Sequence, residues 1–167
     1  MFQIVSVLII AALTAVDRIT KAAAVSSLKD KTPVKFLFGA FRLKYTENTG
    51  AAFSSFSDDT TVLAVFTVLV IILCLFVLLT RRVKSKFACA GLMLIVSGGI
   101  GNAIDRVMNG FVVDFIEPLF IDFAVFNFAD ICITVGAFMI IGYELYELVR
   151  ERKAQKEKEA EKADTND

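Results

Sequence analysis

The sequence contains no histidine, and this absence removes a large class of reactions. Histidine is the commonest general base and the commonest metal ligand in proteins, so catalysis by Ser-His or Cys-His pairs is excluded. The three cysteines, Cys74, Cys89 and Cys132, lie far apart in apolar sequence, with neither metal-ligand spacing nor a disulfide framework. We expect them to be small buried side chains, and we expect no metal and no cofactor.

The chain also has no excess of charge of either sign. Its 18 basic and 18 acidic residues balance, which gives no electrostatic reason to expect nucleic acid as a partner. Hydrophobic residues, in contrast, make up 56% of the chain, and the mean hydropathy is +0.67. Soluble domains contain roughly 45–50% apolar residues, so this composition indicates a membrane protein.

Four long apolar stretches are present, at residues 1–16, 60–80, 87–104 and 123–143. About 20 apolar residues in a helix cross the ~30 Å core of a bilayer. We therefore predict an all-α membrane fold with four transmembrane helices at about 2–25, 60–80, 87–108 and 127–148. The first stretch has no basic residue before it, so we interpret it as a helix rather than a removable signal peptide.

Basic residues in short loops predict the orientation of the chain. Residues 81–86 read RRVKSK, and a second basic run follows the fourth helix. Basic loops favour the cytoplasm, which places both termini there and places residues 26–59 and 107–127 outside. Five basic residues in the 26–59 segment oppose this assignment, but longer segments count less in the rule.

The first outer segment carries a strand pattern. Apolar and polar residues alternate over 41–46, residues 34–38 form a second short apolar run, and Gly39-Ala40 is suited to a turn between them. We predict a small β-hairpin on the membrane surface, within a cradle of about 26–59 between the first two helices. An ordered loop fits the pattern equally well.

Four aspartates lie where apolar sequence meets the outer interface: Asp17, Asp105, Asp114 and Asp130. An ionisable group in the membrane costs about 2.5–3.5 kcal/mol on insertion scales, so such residues indicate function or pairing. Asp17 and Asp105 have basic neighbours in sequence, and ion-paired ties between helices explain them as well as function does.

Asp114 and Asp130 have no basic neighbour in sequence. The apolar residues around Asp114 would bury its carboxyl group and raise its pKa. Asp130 follows Asn127, a good N-cap, by three residues, and the helix dipole favours its charged form. A first-turn acid is a sufficient explanation of Asp130 alone. As a pair, two carboxylates in different environments can divide the roles of acid and base.

Amide and small residues surround these aspartates in sequence. Asn102 ends the glycine-rich run 97–102, and an amide in a spanning helix needs hydrogen-bond partners. The glycines are explained as well by close helix packing as by function. Residues 48–54, from Asn48 through Gly50, form a turn-favouring run at the membrane border.

Five motifs together resemble the bacterial lipoprotein signal peptidases, the type II signal peptidases. They are DRITK at 17–21, NTGAAFS at 48–54, GNAIDR at 101–106, VVDFI at 112–116 and FNFAD at 126–130. The resemblance covers the membrane part of the chain. It implies an aspartic endopeptidase domain over 1–150, followed by a charged cytoplasmic tail at 151–167. Phe128 departs from the smaller aliphatic residue that we expect there.

The resemblance implies an enzyme of the bacterial cytoplasmic (inner) membrane, with its active site near the outer, periplasmic face. Such enzymes remove the signal peptide of a prolipoprotein just before a cysteine that carries diacylglyceryl. The partners expected are this lipid-modified prolipoprotein and membrane lipid, and we expect a monomer. The implied residues are catalytic Asp114 and Asp130, substrate-binding Asn48, Gly50, Asn102, Arg106 and Asn127, and supporting Asp17, Lys21 and Asp105. Asp105 is expected to support Arg106.

Two other functions fit the residues without the resemblance. Intramembrane aspartates also occur in proton relays, so a small proton-coupled transporter is the main alternative. The sequence has no paired halves, however, which many transporters show. A non-enzymatic assembly scaffold is the third hypothesis, and it predicts that Asp→Asn changes leave function intact.

Overall fold

The computed structural model describes residues 1–50 and 60–164, so positions 51–54 of the NTGAAFS motif lie outside the described residues. Within that part, four helices are long and apolar enough to cross a membrane. This confirms the predicted fold class. The helices are α1 (Phe2–Leu28), α2 (Thr60–Leu79), α3 (Lys86–Asn109) and α4 (Phe128–Asp164).

Helix α3 is the centre of the bundle. In its most apolar 18-residue stretch 67% of the residues are buried, compared with 11% in the corresponding stretch of α2. Helix α3 also packs against all three other helices. Glycines in α3 permit this approach: a Cβ atom at Gly98 would collide with the carbonyl oxygen of Ala129 on α4. The outer surfaces of the other helices remain apolar and exposed, as lipid-facing surfaces must be.

A three-stranded antiparallel sheet, ordered β1-β2-β3, lies outside the helices. The predicted hairpin is present as β1 (Val34–Phe36) and β2 (Phe41–Asn48). The third strand, β3 (Val112–Pro118), was not predicted, because its apolar run around one aspartate has no clear alternation. The sheet therefore joins both outer segments. Its register pairs Thr46 with Asp114 and so brings two distant motifs together.

The turn between β1 and β2 is a short 3-10 segment, Leu37–Gly39, just before the predicted Gly39-Ala40 turn. Leu37, Phe38 and Gly39 have φ angles of 48°, 56° and 84°. Side chains on Cβ disfavour this left-handed region, at about 1–3 kcal/mol for each residue held there. The turn is thus strained at two large apolar residues.

Helix α4 continues far past its predicted end near 148, and the structure describes it as helix through Asp164. The charged tail is thus helical over 151–164, as an extension of α4. The sequence from 143 onward contains no glycine or proline and is rich in Ala, Glu, Lys and Arg, which favour helix. An ion pair of 2.8 Å between Arg150 and Glu147 supports the exposed helix.

Candidate active site

The start of α4 places Asp130. The side-chain oxygen of Asn127 accepts a hydrogen bond from the Asp130 backbone N–H, at 3.0 Å. In return, Asp130 Oδ2 accepts one from the Asn127 backbone N–H, also at 3.0 Å. This reciprocal arrangement is a capping box, and it confirms the predicted N-cap. It fixes one carboxylate oxygen of Asp130 and leaves the other facing Asn102.

Asn102, on α3, connects Asp130 to a buried lysine. Its Nδ2 donates to Asp130 Oδ1 at 2.8 Å, and its Oδ1 accepts from Lys21 Nζ at 2.8 Å. An ammonium group has only donors, so the amide oxygen must face Lys21. The amide nitrogen must then face Asp130. Lys21 thereby determines the orientation of Asn102.

The other two asparagines also present amide nitrogens to a carboxylate. Asn127 Nδ2 donates to Asp114 Oδ1 at 2.6 Å, and Asn48 Nδ2 donates to Asp114 Oδ2 at 2.8 Å. The Gly50 backbone N–H donates to Asn48 Oδ1 at 3.0 Å and so fixes that amide. Every oxygen of Asp114 and Asp130 accepts a hydrogen bond from an asparagine. The predicted dyad and its amides therefore form one connected site.

The pKa of Asp114 lies well above its usual value. Its side chain is 1% exposed, and burial raises its pKa to about 6, with the nearby charge of Asp130 adding to the effect. Hydrogen bonds from Asn48 and Asn127 act in the opposite direction. No ion pair reaches either dyad carboxylate within the described residues. Two close carboxylates without an ion-pair partner favour a state that holds one proton between them.

A second group of charges lies directly behind the dyad. Lys21 Nζ is 3.0 Å from both Asp17 Oδ2 and Asp105 Oδ2, and Arg18 forms an ion pair with Asp105. Asp17 also accepts a hydrogen bond from the Ala129 N–H at 3.1 Å. Asp105 accepts one from the Val113 N–H at 3.2 Å. The cluster thus holds the backbone immediately before each dyad residue.

Arg106 does not have the expected partner. Among the described residues no ion pair joins it to Asp105, whose carboxylate is taken by Arg18 and Lys21. The Arg106 Nε is buried and has no hydrogen-bond partner there. The charge of Asp105 still reaches Arg106 without an ion pair, so its supporting role stays a prediction. The Arg106 guanidinium instead borders the cavity that opens from the dyad, and its Nε–H is available to bind a substrate.

The site opens into a cavity of about 430 Å³. Its polar side contains most of the predicted site residues: Asn48, Gly50, Asn102, Arg106, Asp114 and Asp130. Asn127 lies fully buried against the dyad. The apolar wall was missed in the sequence, and it comprises Val112, Phe123, Ala124, Val125, Phe126, Ile131, Ile133, Thr134 and Val135. Spacings of three and four residues from Asp130 could have indicated Ile133 and Thr134.

Similarity to known proteins identifies the family of this site. The family model of signal peptidase (SPase) II matches residues 9–146, which is most of the chain and includes every predicted site residue. This chain belongs to the signal peptidase II family. The prediction of a peptidase is confirmed, and the transporter and scaffold alternatives lose their support.

Individual relatives agree with the family match. The lipoprotein signal peptidase of Streptococcus thermophilus is 43% identical over 132 residues, which cover 79% of this chain and 86% of the relative. That of Clostridium acetobutylicum is 40% identical over 137 residues, covering 80% and 89%.

Solved structures share the fold. One is described as "Bacterial membrane enzyme structure by the in meso method at 2.3 A resolution". It is 29% identical, covers 86% of this signal peptidase II chain and 89% of its own, and superposes with a TM-score of 0.79. A second, at 1.9 Å resolution, gives a TM-score of 0.76 at 29% identity, covering 84% and 92%. The protein is thus a multi-pass membrane peptidase.

Proposed function

We propose that this signal peptidase II removes the signal peptide of diacylglyceryl-modified prolipoproteins and cuts just before the lipidated cysteine. The observation that carries the proposal is the pair Asp114 and Asp130, held by three oriented asparagines at the end of an apolar-walled cavity, with no ion pair to either carboxylate among the described residues. The relatives described above are named lipoprotein signal peptidases, which supports a lipoprotein as the substrate.

The two aspartates divide the work of acid and base. Asp130, ionised, takes a proton from a water whose oxygen attacks the scissile carbonyl carbon. Asp114, whose pKa of about 6 makes its acid form far more populated near neutral pH than that of an ordinary aspartate, donates its proton to the carbonyl oxygen. The tetrahedral intermediate, which carries two hydroxyl groups, then breaks its C–N bond. The proton held by Asp130 passes to the leaving amine, and one hydroxyl proton returns to Asp114 as the carboxylic acid product forms. No metal or cofactor enters these steps.

The remaining polar residues hold the substrate. Arg106 has an unpaired buried donor beside the dyad, which suits a backbone carbonyl or a lipid ester oxygen of the substrate. Asn48 and Gly50 line the same cavity and bind the extended peptide. The apolar wall continues along α4 to the exposed Ile131 and Val135, so the acyl chains can stay in lipid while the peptide enters laterally.

The enzyme domain comprises residues 1–150 and works in the bacterial cytoplasmic membrane, while the tail 151–167 takes no part in catalysis. The basic loop 81–86 and the basic end of α4 support an orientation with both termini in the cytoplasm and the dyad near the outer face. All residues assigned to the site come from one chain, which supports action as a monomer.

Cleavage by the purified protein in detergent-lipid micelles tests the proposal. A prolipoprotein with diacylglyceryl on its cysteine is compared with the same chain unmodified, and the new N-terminus is identified by mass spectrometry. We expect cutting before the lipidated cysteine only, and none by Asp114→Asn or Asp130→Asn. Equal cutting of the unmodified chain would refute the lipid requirement. Cutting by either variant at near-normal rate would refute the dyad.

A further inference from the structure

The turn between β1 and β2 presents its largest side chain to the surroundings. Phe38 is fully exposed and Leu37 is 58% exposed, although both hold left-handed backbone conformations that apolar side chains rarely adopt. A turn of this shape is satisfied by glycine or asparagine. Strain combined with complete exposure of a phenylalanine indicates a side chain that is directed at something outside the chain.

Phe38 belongs to a larger apolar surface. The Ala40 carbonyl accepts a hydrogen bond from the Leu119 N–H at 2.8 Å, and the rings of Phe41 and Phe120 meet edge to face at 5.5 Å. These contacts place the turn beside the segment that leads from β3 to α4. We call the exposed apolar residues of both segments the apolar rim: Leu37, Phe38, Leu119, Phe120, Ile121 and Phe123.

The apolar rim is continuous with the lipid-facing surface of the bundle. From Phe123 the chain enters α4, whose exposed residues Ile131, Val135 and Phe138 form one apolar stripe. Beside the rim, Arg42 and Glu117 pair at 2.5 Å, so their charges do not oppose insertion. Exposed apolar side chains that adjoin a membrane-spanning surface are suited to the boundary between headgroups and acyl chains.

We propose that the apolar rim inserts into the bilayer leaflet on the side of the active site, with Leu37 and Phe38 at its tip. The occupant of this surface is phospholipid. The strands run from the rim to the dyad, with Phe41 paired to Pro118 at one end and Thr46 to Asp114 at the other. Insertion of the rim therefore sets the height and tilt of the sheet, and so of Asp114, relative to the membrane surface.

The absence of tryptophan from the sequence makes the test direct. Phe38→Trp gives a protein with one tryptophan, reconstituted in phospholipid vesicles that carry bromine on the acyl chains near the headgroup. Phe138→Trp, on the exposed side of α4, is the lipid standard, and Lys156→Trp, on the exposed charged end, is the aqueous standard. Acrylamide, a water-soluble quencher, measures the exposure of each tryptophan to water.

We expect brominated lipid to quench the tryptophan at position 38 at least half as strongly as it quenches the tryptophan at position 138. Acrylamide should quench the tryptophan at position 38 much less than it quenches the tryptophan at position 156. Quenching by acrylamide equal to that at position 156, without quenching by brominated lipid, would overturn the proposal. Protection that arises only after substrate is added would overturn it too, because the tip would then contact substrate. If Phe38→Trp does not fold, Phe120→Trp, on the same rim, provides the same measurement.

Discussion

Two pairs of carboxylates lie next to each other in this enzyme, and they differ in what faces them. Asp17 and Asp105 face cations, Lys21 and Arg18, and they hold backbone N–H groups. Within the described residues, the dyad oxygens accept hydrogen bonds only from asparagine amides and one backbone N–H, while the charges of Lys21 and Arg106 act from further away. A cation beside a carboxylate stabilises its charged form and suppresses proton exchange. The cation-paired group is therefore suited to holding structure, and the amide-paired group to moving protons.

The largest effect is expected from neutralising either aspartate of the dyad. Asp114→Asn or Asp130→Asn should lower the cleavage rate by at least about 10³-fold, because each variant loses one partner of acid-base catalysis. The thermal unfolding midpoint should stay the same or rise, since two close carboxylates no longer repel. Rates and unfolding midpoints measured on the same preparations check this.

Asp122→Asn is the matched control for the dyad variants. Asp122 is exposed and lies in the loop just before α4, so its neutralisation should change neither rate nor stability. A dyad variant that loses activity together with several degrees of stability would mean that the carboxylate is structural, and the contrast between the two groups would fail.

Substitutions in the cation-paired group should have the opposite pattern, because their main effect is a loss of folding stability. Lys21→Met leaves Asp17 and Asp105 without the ammonium that joins them, and breaking a buried ion pair from one side destabilises by about 3–5 kcal/mol. Activity should fall as well, because Asn102 loses the donor that fixes its amide. Unfolding by denaturing detergent, monitored by circular dichroism, measures the loss.

Lys29→Met provides the comparison for Lys21→Met. Lys29 pairs with Glu47 at 3.4 Å, and both side chains are close to half exposed, so water already screens the pair. We expect no measurable change in unfolding. Equal destabilisation by the two substitutions would show that Lys21 has no special structural role.

The sequence was informative where a residue conflicted with its local surroundings. Asp114 in an apolar run, Asn102 in a spanning helix and Asn127 before Asp130 each stood out without any knowledge of the fold. The ion pairs were not accessible in this way. Arg18 and Asp105 are 87 positions apart, and the nearest basic neighbour of Asp105 in sequence, Arg106, is not its partner. Pairing across that separation depends on helix packing, which local patterns do not contain.

The strands illustrate the same limit. Alternation predicted β2, which has polar residues on one side, whereas β3 is buried at its start and shows an apolar run instead. Without β3, the sequence could not indicate that Asn48 lies beside Asp114. In that case the resemblance to the family supplied the link, and the register of the sheet supplied its physical reason.

A smaller effect is expected from crowding the cation-paired group without changing any charge. A Cβ atom at Gly101 would collide with the Asp17 carboxylate. Gly101→Ala should therefore destabilise by about 1–3 kcal/mol, as overpacking usually does. It should also lower activity, because Asp17 holds the N–H of Ala129 at the start of α4. Unfolding in detergent and the cleavage assay measure the two effects.

Gly142→Ala is the control for added volume. No atom lies within 4 Å of a Cβ built at Gly142, so alanine there should stabilise α4 by up to about 1 kcal/mol. If Gly101→Ala were as well tolerated as Gly142→Ala, the close contact between α3 and Asp17 would not be part of the native packing.

The smallest effect concerns the proton on Asp114. Burial raises the pKa of Asp114 to about 6, above the ordinary aspartate value of 3.8. The native state therefore binds this proton more tightly than the unfolded state, and stability falls as pH rises between those values. In the proposed mechanism the cleavage rate falls as well, as pH rises through the pKa of Asp114.

Asn48 donates a hydrogen bond to the Asp114 carboxylate and lowers its pKa. Asn48→Ala should therefore move the decline in kcat to higher pH by about one pH unit, since a hydrogen bond to a charged group is worth roughly 1.5–3 kcal/mol and one pKa unit about 1.4 kcal/mol. Thr49→Ala, at the exposed neighbour, should leave the pH profile unchanged. A shift of the decline to lower pH in Asn48→Ala would mean that a different group carries the proton.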